Sequence, residues 1–185
     1  MRSALTTSLL ASVLAGLFAC AGTPSHELEA MYLASRDEDS HGSSAGELYE
    51  IEQQRREWIG VVRELYANGD IQTDLDRLYA AELLLESDST EDLGLARDLA
   101  LEAAENGDDR GFPLAAEAID RSLMKQGLPQ RYGTQYVYLP EFGWILYRWN
   151  ERVTDAERTA MGVPPIQDSL ERLKRLNAKE RAGRD

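Results

Sequence analysis

From Gly46 onward, apolar residues return every three, four or seven positions, with turn residues between the runs. That period belongs to helices with one buried face, and it restricts this stretch to helix packed on helix. Leu48, Ile51, Trp58, Ile59, Val62, Leu65 and Tyr66 form the first run, which Asn68-Gly69 stops. Thr73 starts a second. Asp76, three residues on, is its capping-box partner, and Leu75, Leu78, Tyr79 and Leu83 make its apolar face. A third helix spans 90–105, with Leu93, Ala96, Leu99, Ala100 and Ala103 on one stripe and Gly107 past its end. Pro113 suits the first turn of a fourth, which Gly127 closes. Short connections favour antiparallel neighbours.

The period then changes. Segments 134–139 and 144–149 are rich in aromatic and branched residues, and Pro140-Glu141-Phe142-Gly143 between them predicts a hairpin. Thr154 and Glu157 make another capping box, before a short helix that stops at Gly162. Pro164-Pro165 precedes a last helix over 167–181. The fold class expected is mainly α: a single helical domain of antiparallel helices over 46–185, with a small β-hairpin near 134–149.

What precedes it reads as an export signal. One arginine, Arg2, an apolar run of about 15 residues and small residues at its end have the three parts of a secretory signal over 1–19. The run is short of the ~20 residues a spanning helix needs. Leu17-Phe18-Ala19-Cys20 is similar to the lipobox of bacterial lipoproteins, and Cys20 is the chain's single cysteine. A lone exported thiol is a liability unless it is consumed, as lipidation does. Acyl chains contribute ~0.8 kcal/mol per buried methylene, and stable anchoring takes more than one chain. Ala21 stands where aspartate marks inner-membrane retention in many Gram-negative bacteria. The periplasmic face of the outer membrane is therefore expected over the inner membrane. Residues 20–45 are polar and turn-rich. They read as the lipidated cysteine and a flexible tether, with a short helical piece near Leu28, and as dispensable for folding.

Charge is uneven. Residues 20–120 hold 7 Lys and Arg against 25 Asp and Glu; residues 121–185 hold 12 against 8. An acidic body repels nucleic acid, so no nucleic-acid partner is expected. The basic positions Arg172, Lys174, Arg175, Lys179, Arg181 and Arg184 read as the solvated face of the terminal helix, because acidic residues interrupt them.

Several motifs fit by spacing alone. Gly42-Ser43-Ser44-Ala45-Gly46 matches a nucleophile elbow, yet the only histidines, His26 and His41, lie upstream. Ser122 and Lys125 match S-x-x-K without the companion elements of penicillin-binding proteins. No cysteine or histidine follows position 45 to ligate zinc, the acidic stretches lack calcium-loop spacing and no glycine-rich phosphate loop occurs. No metal and no cofactor are expected.

One segment gathers polar chemistry: Asp120-Arg121, then Gly127-Leu128-Pro129-Gln130-Arg131-Tyr132-Gly133-Thr134-Gln135. Amides donate and accept, which suits reading a peptide or sugar. Equally, the same groups can form a buried network pinning the fourth helix to the hairpin. The candidate catalytic residue is Asp120; the candidate binding residues are Arg121, Gln130, Tyr132, Thr134 and Gln135.

This segment resembles the signature of an uncharacterised bacterial domain family, a domain of unknown function, in which an Asp-Arg pair precedes Gly-x-Pro-Gln-x-Tyr-Gly-Thr-Gln. The resemblance runs over about 48–176. It includes Asp74 with Ala80-Ala81, Leu99-Ala100, Glu102-Ala103-Ala104 and Gly107, and Thr154-Asp155 with Arg158 before Gly162-Val163-Pro164. Where the family pattern has Gln-His, this chain has Leu85-Glu86. The resemblance implies a fold group and no established activity. Two functions are expected in competition: a non-catalytic envelope module binding a protein or peptide, or an envelope hydrolase or transferase using Asp120.

Overall fold

A computed structural model describes residues 25–37 and 45–183. Residues 1–19, expected as an export signal, Cys20, the Gly42-Ser43-Ser44 part of the elbow motif and Arg184 lie outside them. In chain order the elements are α1 (His26–Asp37), α2 (Ala45–Asn68), α3 (Asp74–Leu85), α4 (Thr90–Glu105), α5 (Gly111–Lys125), β1 (Tyr136–Leu139), β2 (Gly143–Leu146), α6 (Asp155–Ala160) and α7 (Ile166–Ala182). The protein is mainly helical with one small antiparallel hairpin.

Helix boundaries follow the local chemistry. Thr73 and Thr154 both form the reciprocal capping box, with Asp76 and Glu157 respectively, and Ser89 caps α4 through its side chain. Consecutive helices α3, α4 and α5 pack antiparallel. The Asn106 amide after α4 donates to Asp74 at the start of α3 (2.7 Å). At the α4–α5 crossing, a Cβ on Gly111 would overlap the Ala100 carbonyl oxygen, so only glycine fits there. Alanines at 96, 100, 103 and 104 on α4 and at 115, 116 and 118 on α5 are buried, and small side chains let the two axes approach. Leu78, Leu83, Leu84, Leu93 and Leu99 fill the remaining space.

The interval expected as tether is in part a helix of the domain. Leu28 of α1 is 0% exposed and Met31 is buried beside it, both in the main core. Tyr32 stacks on Tyr79 with ring centroids 4.5 Å apart. The Ser25 N–H donates to Asp76 Oδ1 at 2.6 Å. Polar residues flank the apolar ones of α1 in sequence, yet Leu28, Met31 and Tyr32 pack against α3 and α2. Among the described residues the folded body therefore begins with Ser25 and α1, and the expected boundary at Gly46 is corrected.

The hairpin is shorter than 134–149. Its register pairs Tyr136 with Leu146 and Leu139 with Gly143. Thr134 is excluded because its N–H is taken by the Asp120 side chain. Helix α7 lies along the hairpin. Tyr136 Oη donates to the Ser169 carbonyl (3.0 Å) and Tyr138 Oη to Glu180 (3.2 Å). The Asn177 side chain accepts from Trp144 N (2.9 Å) and donates to Trp144 O (2.8 Å), acting as a one-residue third strand. Arg172, Lys174, Arg175, Lys179 and Arg181 are exposed, as a solvated helix face requires.

Candidate functional site

Asp120 sits in the second half of α5 and is 0% exposed. Gly127, in the left-handed region at φ 68°, reverses the chain after the helix and brings the signature loop back over it. The loop then delivers four donors to one carboxylate. Arg131 N and Tyr132 N donate to Oδ1 at 2.6 and 2.8 Å. Thr134 N and Thr134 Oγ1 donate to Oδ2 at 2.9 and 2.8 Å. Burial pushes this carboxyl above the usual carboxylate range, and the donors of Tyr132, Thr134 and Arg131 pull against that shift.

Gln130 is equally enclosed, at 0% exposure. Its Nε2 donates to the carbonyls of Gln135 (3.1 Å) and Tyr147 (2.8 Å), and its Oε1 accepts from Gln135 N (2.9 Å). Its backbone makes a parallel bridge with Trp149, donating to Arg148 O and accepting from Asn150 N. One amide side chain thus closes the loop on itself and onto the end of the hairpin.

From the opposite side comes Arg158 of α6, 1% exposed. Its guanidinium donates through Nη1 to the Tyr132 carbonyl, through Nε to Pro164 O (2.9 Å) and through Nη2 to Ser169 Oγ (2.9 Å). Burial lowers its pKa, against Asp155 and Asp120, which raise it. Gly133 makes this approach possible: its φ is 68°, and a Cβ there would stand 2.8 Å from Arg158 Nη1 and 3.1 Å from Ile166 Cδ1. The Tyr132 side chain is buried against Ala116 and Val163.

Of the expected site residues, the structure brings Asp120, Gln130, Tyr132 and Thr134 into one network. Gln135 joins through its backbone, and its side-chain amide donates to Thr134 Oγ1 (3.0 Å). Arg121 does not meet the loop. It turns to the far side of α5, pairing with Glu117 (3.1 Å) and donating to the Leu85 carbonyl (2.8 Å) and to Glu86 (3.3 Å). Residues one apart on a helix point about 100° apart, so two neighbours seldom serve one partner. Leu85 and Glu86, at the end of α3, are thus what Arg121 holds. Ser122 and Lys125 are not a pair: Lys125 bonds Asp88, and Ser122 accepts from Gln126.

Arg158 was absent from the expected site. An arginine on a short capped helix reads as solvated, and the one available signal was its place in the resemblance. Also unanticipated was the outer side of the same loop. While Gln130 and Tyr132 point inward, Leu128, Pro129 and Arg131 line an open groove of about 790 Å³ together with Leu123, Trp149 and Val153. Leu128 is 45% exposed there, a large apolar side chain facing water. Arg131, Glu151, Arg152 and Glu157 give the groove a mixed-charge rim.

Fold and site define a helical domain with a hairpin welded to it by a buried carboxylate, an amide and a guanidinium. Among the described residues, no three His, Cys, Asp or Glu side chains converge to hold a metal, and no helix is long and apolar enough to cross a membrane. No protein family, curated protein or solved structure matches the chain.

Proposed function

We propose that this chain is a lipid-anchored module of the bacterial cell envelope that binds an extended protein or peptide segment and catalyses no reaction. In this reading residues 1–19 export it, Cys20 carries the lipid, and the periplasmic face of the outer membrane is its location in a Gram-negative host. The likeness to the uncharacterised bacterial domain family is part of the same proposal.

One observation carries the choice of binding over catalysis. Asp120, the only carboxylate the signature offers, is enclosed with four donors on its two oxygens. A general base must reach the proton it takes, and a nucleophile must reach its electrophile. A carboxylate whose lone pairs are all engaged inside the fold does neither. What the clamp supports instead is a rigid loop that presents Leu128, Pro129 and Arg131 beside Trp149. An aromatic side chain and an arginine on a fixed backbone are among the anchors that interfaces favour.

The test is affinity capture from envelope extract with the lipidated protein, its Leu128→Asp variant and its Asp120→Asn variant. A partner retained by the parent and lost by Leu128→Asp at unchanged melting temperature supports the reading. Hydrolytic or transfer activity lost on Asp120→Asn in a folded protein overturns it.

A further inference from the structure

We propose that the domain rests against a zwitterionic lipid surface with one defined end, formed by the start of α1 and the loops 68–73 and 106–110, and presents the Leu128–Trp149 groove on the end facing away. This rests on the lipidation of Cys20 and adds an orientation to it.

The argument is one of chain length. Because α1 is part of the core, the spacer between lipid and folded body is not 25 residues but residues 21–24. A chain advances at most about 3.6 Å per residue, so Ser25 lies within about 18 Å of Cys20. Ser25 is itself fixed, its N–H on the buried Asp76 carboxylate and Leu28 one turn later in the core.

Around Ser25 the topology gathers a single end of the bundle. Asp76 is in the first turn of α3, whose N-terminus follows the 68–73 loop. The Asn106–Asp74 bond puts the α4–α5 connection beside it. Helices α3 and α5 leave this end in the same direction, and at the other end Arg121 meets Leu85 and Lys125 meets Asp88. A 15-residue α5 rises about 22 Å, and Leu128 follows it. The groove thus lies at the end of the helices facing away from the lipid. Asp70 and Asp109 are exposed at the near end, with Asp108 paired to Arg110. That charge favours zwitterionic over anionic head groups as the surface in contact.

The test uses the full lipidated chain in phosphatidylethanolamine–phosphatidylcholine vesicles. Separate Gln72→Cys and Arg152→Cys variants carry a fluorophore, and the vesicles carry a head-group nitroxide quencher. Strong quenching at position 72 and little at 152 is expected. Inserting twelve glycine and serine residues after Gly22 should reduce the difference severalfold. Equal quenching at both sites, or a difference indifferent to the insertion, overturns the orientation. Failure of the protein to float with vesicles overturns the lipid anchor itself, so the two failures are told apart by flotation before any quenching is read.

Discussion

Asp120 and Arg158 grip opposite ends of the same residue: the carboxylate accepts the Tyr132 N–H at 2.8 Å, and the guanidinium donates to the Tyr132 carbonyl. Two buried charges are thus joined through one residue, each neutralised by dipoles as well as by the other at a distance. Removing either leaves buried groups unsatisfied, at about 1–3 kcal/mol per group. Asp120→Ala strands several donors and should cost at least ~3 kcal/mol in urea unfolding. Arg158→Ala should cost about as much, and the double variant clearly less than the sum. Strict additivity would mean that Tyr132 does not couple them.

The two glutamines of the signature should behave differently. Gln130→Ala removes three hydrogen bonds of a fully enclosed side chain, whereas Gln135→Ala removes a single bond to Thr134. Calorimetry should show a loss of ~2 kcal/mol or more for the first and under ~1 kcal/mol for the second. Comparable losses would contradict the assignment of Gln130 as the closing residue.

Gly133→Ala meets both a left-handed backbone and the Arg158 guanidinium, while Gly127→Ala meets the backbone cost in open space. The left-handed conformation costs ~1–2 kcal/mol for an L-residue, so Gly127→Ala should lose about that and Gly133→Ala distinctly more. Melting temperatures of the two variants, compared with the parent, decide it.

Acid should act through Asp92. Arg63 binds it bidentately (2.7 and 2.5 Å) and holds its carboxyl below the usual range, against desolvation and with help from Ser87. A depressed folded pKa contributes stability above the unfolded value of ~3.9, and that stability is lost as pH falls through the folded value. Asp92→Asn should therefore melt lower than the parent at pH 6, and the gap should close in strong acid. A gap that is constant with pH would exclude this linkage.

Truncation to 46–185 should lower the melting temperature markedly relative to 25–185, because Leu28 alone is a fully buried leucine whose loss costs ~2–5 kcal/mol. Cys20→Ser, by contrast, should leave folding intact and yield an unprocessed precursor without lipid, read by mass and by fatty-acid labelling.

The helices from Thr73 onward are legible in the sequence because local rules agree there: Thr73, Ser89 and Thr154 cap, leucines and alanines keep the period, and glycines stop. Helix α1 is legible as a short helical piece near Leu28, but its packing into the core is not, since that depends on its tertiary contacts with α2 and α3. Asp120 stands out as a charge bordering an apolar stripe, and the loop residues that answer it are close in sequence. Arg158 answers from 26 residues beyond Tyr132, where no local pattern marks a buried guanidinium. Arg121 misleads by adjacency: chain neighbours on a helix share a name in a motif without sharing a direction.

The amide of Asn177 laid against Trp144 has a bearing on self-association. A two-stranded sheet has an open margin on which a second chain can add a strand. Here Asn177 occupies the Trp144 N–H and C=O on that margin, and Gly143 beside it leaves room for the amide, since a Cβ there would fall 2.5 Å from Asn177 Oδ1. Asn177→Leu would uncover a strand rich in tryptophan, isoleucine and leucine. The hairpin would then offer that edge to a second copy of the chain, a contact that Asn177 now blocks.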